Sequence, residues 1–231
     1  MDGDGAKRAV GFAAVDRFVR AGTCIGLGTG STARWAVERV GERVARGERI
    51  AAVPTSGVTE RRCRELGVPL AALGECEIDV AIDGADEVAA DWSLTKGGGG
   101  AHFREKAVAL AARAFIVVVT PEKLVDRLGA FPTPVEVVPF TLLTVTRAIR
   151  AAHPGARVLR RGGDANPFVT DNGNAILDCA FGSIADPAAL DATLRALHGV
   201  VATGLFPAAL TSAVLVADAA GVHELPRPRS A

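Results

Sequence analysis

Residues 79–106 read DVAIDGADEVAADWSLTKGGGGAHFREK, and the fold is decided by how this stretch begins and ends. From Ile78 to Ile82 nearly every position is apolar, the pattern of a strand buried on both faces of a parallel sheet. The run stops at Asp83-Gly84-Ala85-Asp86-Glu87. Three carboxylates in five residues are costly just past the end of a buried strand, and in open α/β sheets that edge is where ligands bind. Lys96 then precedes Gly97, Gly98, Gly99 and Gly100, and the chain turns helical with Glu105 in or near the first turn. A cation, a flexible backbone and a carboxylate therefore follow the acidic loop closely.

Upstream, residues 23–32 read TCIGLGTGST, a short strand and a glycine-rich turn before a helix over 32–45. Glycines let a backbone approach a ligand, and a helix N-terminus offers N–H groups to an anion. Thr29, Ser31 and Thr32 add hydroxyls beside Gly30. A nucleotide-binding Walker loop needs a lysine before Ser31, where Gly30 stands. GTGSTA also fits the GxGxxA of dinucleotide sites, but such a site wants an acid at the end of the next strand. That strand, 49–53, runs into Pro54-Thr55-Ser56-Gly57. A sugar phosphate or other small anion fits best, with a dinucleotide or a plain structural turn as the alternatives.

An amphipathic helix over 6–21 opens the chain, with Lys7 in its first turn, most simply a solvated lysine. Ser56 or Thr59 suits the cap of a helix over 60–66. A helix running to Ala114 leads into a buried strand, 115–119, and Lys123 lies past its end. The grammar changes at FPTP (131–134). Strands at 135–138, 157–159, 168–170 and 175–181, helices at 142–152 and after Pro187, and a return strand at 200–206 follow. DNGN (171–174) reads as the turn of a hairpin. This is close to a split βαβ, ferredoxin-like unit. A last apolar strand, 213–217, rejoins the first sheet. The prediction is an α/β protein: a Rossmann-like parallel-sheet domain, 1–130 plus 207–231, carrying an inserted smaller α+β domain, 131–206.

With 26 basic and 26 acidic residues in 231 and no basic stripe, nucleic acid is a poor partner. No apolar run reaches membrane-spanning length. Cys24, Cys63, Cys76 and Cys179 show no CxxC pair, which predicts reduced thiols and a cytoplasmic protein. The N-terminus lacks a signal-peptide core, and LPRPRSA (225–231) reads as a frayed tail. His102, His153, His198 and His223 have no ligand-like spacing, so neither a metal nor another cofactor is expected. His102 itself is most simply a surface residue.

Proton transfer beside a carbonyl suits what remains. It needs a base for a carbon-bound proton, a cation or N–H groups for the developing oxyanion, and a grip on a non-reacting phosphate. Glu105 is the candidate base and Lys96 with the glycine N–H groups the electrophilic side. Asp83 and Asp86 are candidates to hold sugar hydroxyls.

Together, GLGTGSTA (26–33), DVAIDGADEV (79–88), LTKGGGGAHFREK (94–106), FPTPVEVVP (131–139) and VTDNGNAILD (169–178) resemble type A ribose-5-phosphate isomerase. The likeness extends from Lys7 to Ala217. It implies metal-free interconversion of D-ribose 5-phosphate and D-ribulose 5-phosphate through an enediolate, in the non-oxidative pentose phosphate pathway. It places the proton acceptor on Glu105, with Lys96 and Asp83 as further catalytic residues. It places substrate contacts on Thr29, Gly30, Ser31, Thr32, Asp83, Gly84, Ala85, Asp86, Lys96, Gly97, Gly98, Gly99 and Lys123. It also implies a homodimer or homotetramer. Gly100 departs from the alanine common there. A sugar-phosphate sensor on the same fold, an amino-sugar phosphate isomerase and an acyl-CoA transferase are the alternatives.

Overall fold

The computed structural model describes residues 3–228. It begins α1 (Gly3–Phe18), β1 (Cys24–Leu27), α2 (Ala33–Ala45), β2 (Ala51–Pro54), α3 (Gly57–Glu65) and β3 (Ile78–Asp83). An antiparallel pair, β4 (Glu87–Ala89) and β5 (Leu94–Thr95), precedes α4 (His102–Ala111) and β6 (Phe115–Val119). Then come β7 (Leu124–Val125), β8 (Thr133–Val137), α5 (Leu142–Ala152), β9 (Arg157–Arg160), β10 (Ala175–Ala180) and α6 (Pro187–Arg195). The chain continues through β11 (Val200–Thr203), β12 (Leu205–Phe206), β13 (Ala213–Asp218) and β14 (Gly221–Glu224).

Two compact units form. The first holds the chain up to Ala85, Arg104–Leu124 and everything from Ala209 on. Its sheet has the order β14-β13-β6-β3-β1-β2, parallel except for the edge strand β14. Ile25 and Leu27 point into a core shared with Val10, Ala14 and Val15 of α1 and Val37 and Val40 of α2. Gly26, on the opposite face, lies against Val108 of α4. This alternation is the period of two that lets one strand bury both its faces. The chain leaves β1 for β2 on one side and comes back as β3 on the other. Such a reversal opens a crevice at the carboxyl ends of the two strands, here Leu27 and Asp83.

The second unit holds Asp86–Phe103 and Val125–Ala208. It therefore includes residues 86–103, 125–130 and 207–208, which the sequence assigns to the first domain. Backbone pairing explains the difference: β5 is flanked by β4 and β12, so the segment after the acidic loop is laddered into this unit. Its larger sheet has the order β11-β8-β10-β9, antiparallel throughout. Val145 and Ile149 of α5 and Leu194 of α6 pack on Val135, Val137 and Leu177 of that sheet. The order β8-α5-β9-β10-α6-β11 is the split βαβ arrangement expected. One predicted strand is absent: residues 168–170 are a loop, because β10 pairs with β8 and β9 and leaves them no ladder. At the other end of the chain, Leu225 N–H donates to Val214 O, so the expected tail starts paired; its last three residues lie outside the described ones.

The expectation of four reduced thiols is also corrected. Cys24 and Cys76 form a disulfide, their Cα atoms 6.4 Å apart. The pairing is invisible in the sequence because 52 residues separate them; adjacency of β1 and β3 brings them together. Cys63 and Cys179 are free and buried. Burial pushes their thiols up to about 11 and about 12, so neither offers thiolate at neutral pH. An aromatic disulfide reagent should therefore find no reactive thiol in the folded protein. It should find two of the four cysteines after unfolding without reductant, and all four after reduction. Four without reductant would mean the disulfide does not form.

Candidate active site

Asp83 ends β3 at the sheet reversal and is almost fully buried. Its Oδ1 accepts from the N–H groups of Thr29 at 3.1 Å and Gly84 at 2.8 Å. Gly28 makes this contact possible, since a Cβ there would lie 2.0 Å from that same oxygen. The first glycine of GTGST thus serves the approach of a carboxylate to the loop. Thr29 uses both its donors within the unit. Its N–H goes to Asp83, and its hydroxyl meets those of Thr55, Ser56 and Thr59 at 2.8, 2.7 and 3.1 Å. Ser56 also caps α3 by accepting from Thr59 N–H, as the sequence suggested. Gly30 and Ser31 are exposed, and Thr32 precedes α2 without making a side-chain cap; Arg34 N–H donates to Gly30 O and Trp35 N–H to Thr32 O.

Lys123 closes a short 3-10 turn after β6, at the same carboxyl edge of the sheet. The Thr120 hydroxyl, then the backbone N–H of Glu122 itself, and after these the charges of Lys123 and Lys7 hold the Glu122 carboxyl below the usual carboxylate range. Lys7, read from the sequence as a solvated residue, therefore shares this neighbourhood with Lys123. Glu105 lies in the first turn of α4, only 5% exposed, where a helix N-terminus favours an anion.

In the second unit, Asp86 Oδ2 accepts from Gly98 N–H at 2.7 Å. Lys96 is 2% exposed; its N–H donates to Gly204 O at 2.8 Å and its Nζ lies 5.6 Å from the ring centre of Phe206. His102 is fully buried, which corrects the surface assignment. Its ring lies against Gly97, and its Nε2 is 3.9 Å from Glu136 Oε2. The other oxygen of Glu136 accepts from the Thr170 hydroxyl and the side-chain amides of Asn172 and Asn174, at 2.9–3.0 Å. DNGN therefore turns the chain as expected, Gly173 N–H donating to Thr170 O and Thr170 N–H to Asn174 O, and its asparagines also cap a buried carboxylate. The signal was there: one threonine and two asparagines exceed what a tight turn needs.

Glu87, the third acid of the loop, belongs to the scaffold. It is 3% exposed and accepts from the Thr95 hydroxyl and from the N–H groups of Gly129 and Phe131. Glu87→Ala should lower stability by about 3 kcal/mol, because one buried and two part-buried donors lose their acceptor. Chemical denaturation measures that cost, and kinetic constants per folded molecule should hold. Among the described residues, no group of three or more His, Cys, Asp or Glu side chains is placed to share a metal ion.

The model of ribose 5-phosphate isomerase A (phosphoriboisomerase A) matches residues 51–221. The chain belongs to the ribose 5-phosphate isomerase A family. It is 48% identical to the ribose-5-phosphate isomerase A of Roseiflexus sp. over 92% of each chain. It is 45% identical to that of Rhodopseudomonas palustris over 98% of this chain and 100% of the relative. The ribose 5-phosphate isomerase A structure from Methanocaldococcus jannaschii superposes with a TM-score of 0.89 at 38% identity, over 96% of this chain and 98% of that one. A D-ribose-5-phosphate isomerase in complex with phospho-erythronic acid superposes at 0.92 with 36% identity, over 98% and 100%.

Proposed function

We propose that this chain interconverts D-ribose 5-phosphate and D-ribulose 5-phosphate, with Glu105 as the base and an enediolate as the intermediate. The observation that carries the reading is Glu105 itself, a carboxylate shielded from water in the opening turn of α4, directly after the glycine run. On the open-chain aldose, Glu105 takes the proton from C2. The C–H electron pair forms the C1–C2 double bond, and the carbonyl pair moves onto O1. Lys96 and the glycine N–H groups stabilise that oxygen. The hydroxyl proton passes from O2 to O1, and Glu105 returns its proton to C1, giving the ketose. Phospho-erythronic acid, bound by a related enzyme, carries a planar two-oxygen carboxylate of the shape an enediolate has.

Asp83 and Asp86 are the partners for sugar hydroxyls. Asp83 has one oxygen fixed on Thr29 and Gly84, and Asp86 has one on Gly98. Ser31, Thr32 and the start of α2 take the phosphate, with Lys123 adding charge and Lys7 beside it. Thr29 and Gly84 act on this site through Asp83, while Gly30, Ala85, Gly97 and Gly99 supply backbone. His102, buried against Glu136, is unsuited to act on a bound sugar, which weighs against an amino-sugar isomerase.

Formation of ribulose 5-phosphate from ribose 5-phosphate, measured after exhaustive chelation, tests the reading; no turnover, or turnover only with an added divalent ion, would count against it. Inorganic phosphate should compete with substrate. Lys123→Ala should raise KM roughly tenfold with little change in kcat, the loss of one charge-assisted contact made equally in ground and transition states. No helix among the described residues is long and apolar enough to cross a membrane. A cytoplasmic enzyme of the non-oxidative pentose phosphate pathway, acting as a homodimer or homotetramer, completes the proposal, and light scattering tests its oligomeric part.

A further inference from the structure

Arg161 follows β9 and is 15% exposed at its side chain. Its Nε and Nη2 grip both oxygens of Asp178, at 3.0 and 2.5 Å. Its Nη1 donates to the carbonyl oxygens of Gly97 and Gly98, at 2.8 and 3.0 Å. Glycines lose more conformational freedom on ordering than any other residue, so a run of four holds one shape only if something outside it does the holding. A guanidinium does this well: it is planar, permanently charged, and its donors are fixed in a fork. Here one edge of the fork is anchored on a carboxylate and the remaining nitrogen takes the loop. With its carbonyls so held, the loop directs Gly98 N–H onto Asp86 Oδ2 at 2.7 Å.

We propose that Arg161, anchored by Asp178, is a positioning residue for the isomerisation, fixing the Gly97–Gly98 peptides and through Gly98 N–H the carboxylate of Asp86. It touches no reacting atom. The proposal rests on the assignment of Asp86 as a partner of sugar hydroxyls. Its signature is coupling. Arg161→Met should lower kcat/KM on the order of 10²-fold, the scale of a misplaced site group. The inhibition constant of inorganic phosphate should stay unchanged, because the phosphate loop lies in the first unit.

The deciding experiment is a double-mutant cycle with Asp86→Asn, read as kcat and KM per folded molecule. If Arg161 acts through Asp86, Arg161→Met in the Asp86→Asn background should cost less than about threefold more. Asp178→Asn should give a smaller loss of the same kind, and Arg161→Lys, which keeps the charge but not the fork, should fall between. Equal losses in both backgrounds would overturn the proposal. So would wild-type kinetics in Arg161→Met with only a lowered Tm. Where Arg161→Met does not fold, Arg161→Lys runs the same cycle. The isomerase assignment fails separately, by absence of turnover in the wild type. Wild-type constants in Asp86→Asn would refute the Asp86 assignment and this proposal with it.

Discussion

Glu105→Gln should lower kcat by a factor of about 10² to 10⁴ while substrate still binds, the usual cost of removing a general base. Glutamine keeps the length and most hydrogen bonds of glutamate but takes no proton from carbon. The residue lies in the first turn of a helix and is nearly buried, so the replacement should leave the fold in place. Binding of a phosphorylated four-carbon acid should persist in the variant, which separates loss of the base from loss of the site. A fall in both binding and turnover would point to structural damage; near-native turnover would remove Glu105 from the mechanism.

Gly28→Ala should be nearly as severe, for a different reason. The added methyl would lie 2.0 Å from Asp83 Oδ1 and 2.1 Å from its Cγ, so the carboxylate must leave its place on Thr29 N–H. Displacing a site group by an ångström or more costs on the order of 10² in kcat/KM. Stability should fall too, by about 1–3 kcal/mol, as in other overpacked sites. The double variant Gly28→Ala with Asp83→Gly should regain part of that stability, since it also removes Asp83 Cβ, 2.6 Å from the added methyl, and should regain no activity. A stable and active Gly28→Ala would mean that Asp83 has no fixed role on this loop.

Much of the fold was legible because it lies in local patterns. The apolar runs at 78–82 and 115–119 became β3 and β6, and the amphipathic stretch at 142–152 became α5 at those bounds. What the sequence hid depends on partners far along the chain. Residues 168–170 look extended, yet their ladder positions are taken by β8 and β9. Residues 86–103 follow the Rossmann-like strand directly, yet they pair through β5 with β12, more than a hundred residues later. Of the three acids in the loop, the sequence assigns roles to Asp83 and Asp86 and none to Glu87, which turns inward to backbone donors that sequence order does not reveal. His102 and Glu136 show the same limit: a histidine near a glycine run is polar by type, and only tertiary packing buries it. Arg161 carries no motif at all, and its hold on Gly97 and Gly98 appears only once β9 stands beside the loop.

The central claim is that Glu105 carries one proton between C2 and C1 of a sugar phosphate. Proton NMR of ribose 5-phosphate incubated in deuterium oxide tests it most directly. The wild type should place deuterium at C2 of recovered ribose 5-phosphate and at C1 of ribulose 5-phosphate, and Glu105→Gln should do both slower by the same factor as its kcat. Exchange at the wild-type rate in Glu105→Gln would contradict the claim, because another group would then be taking the proton.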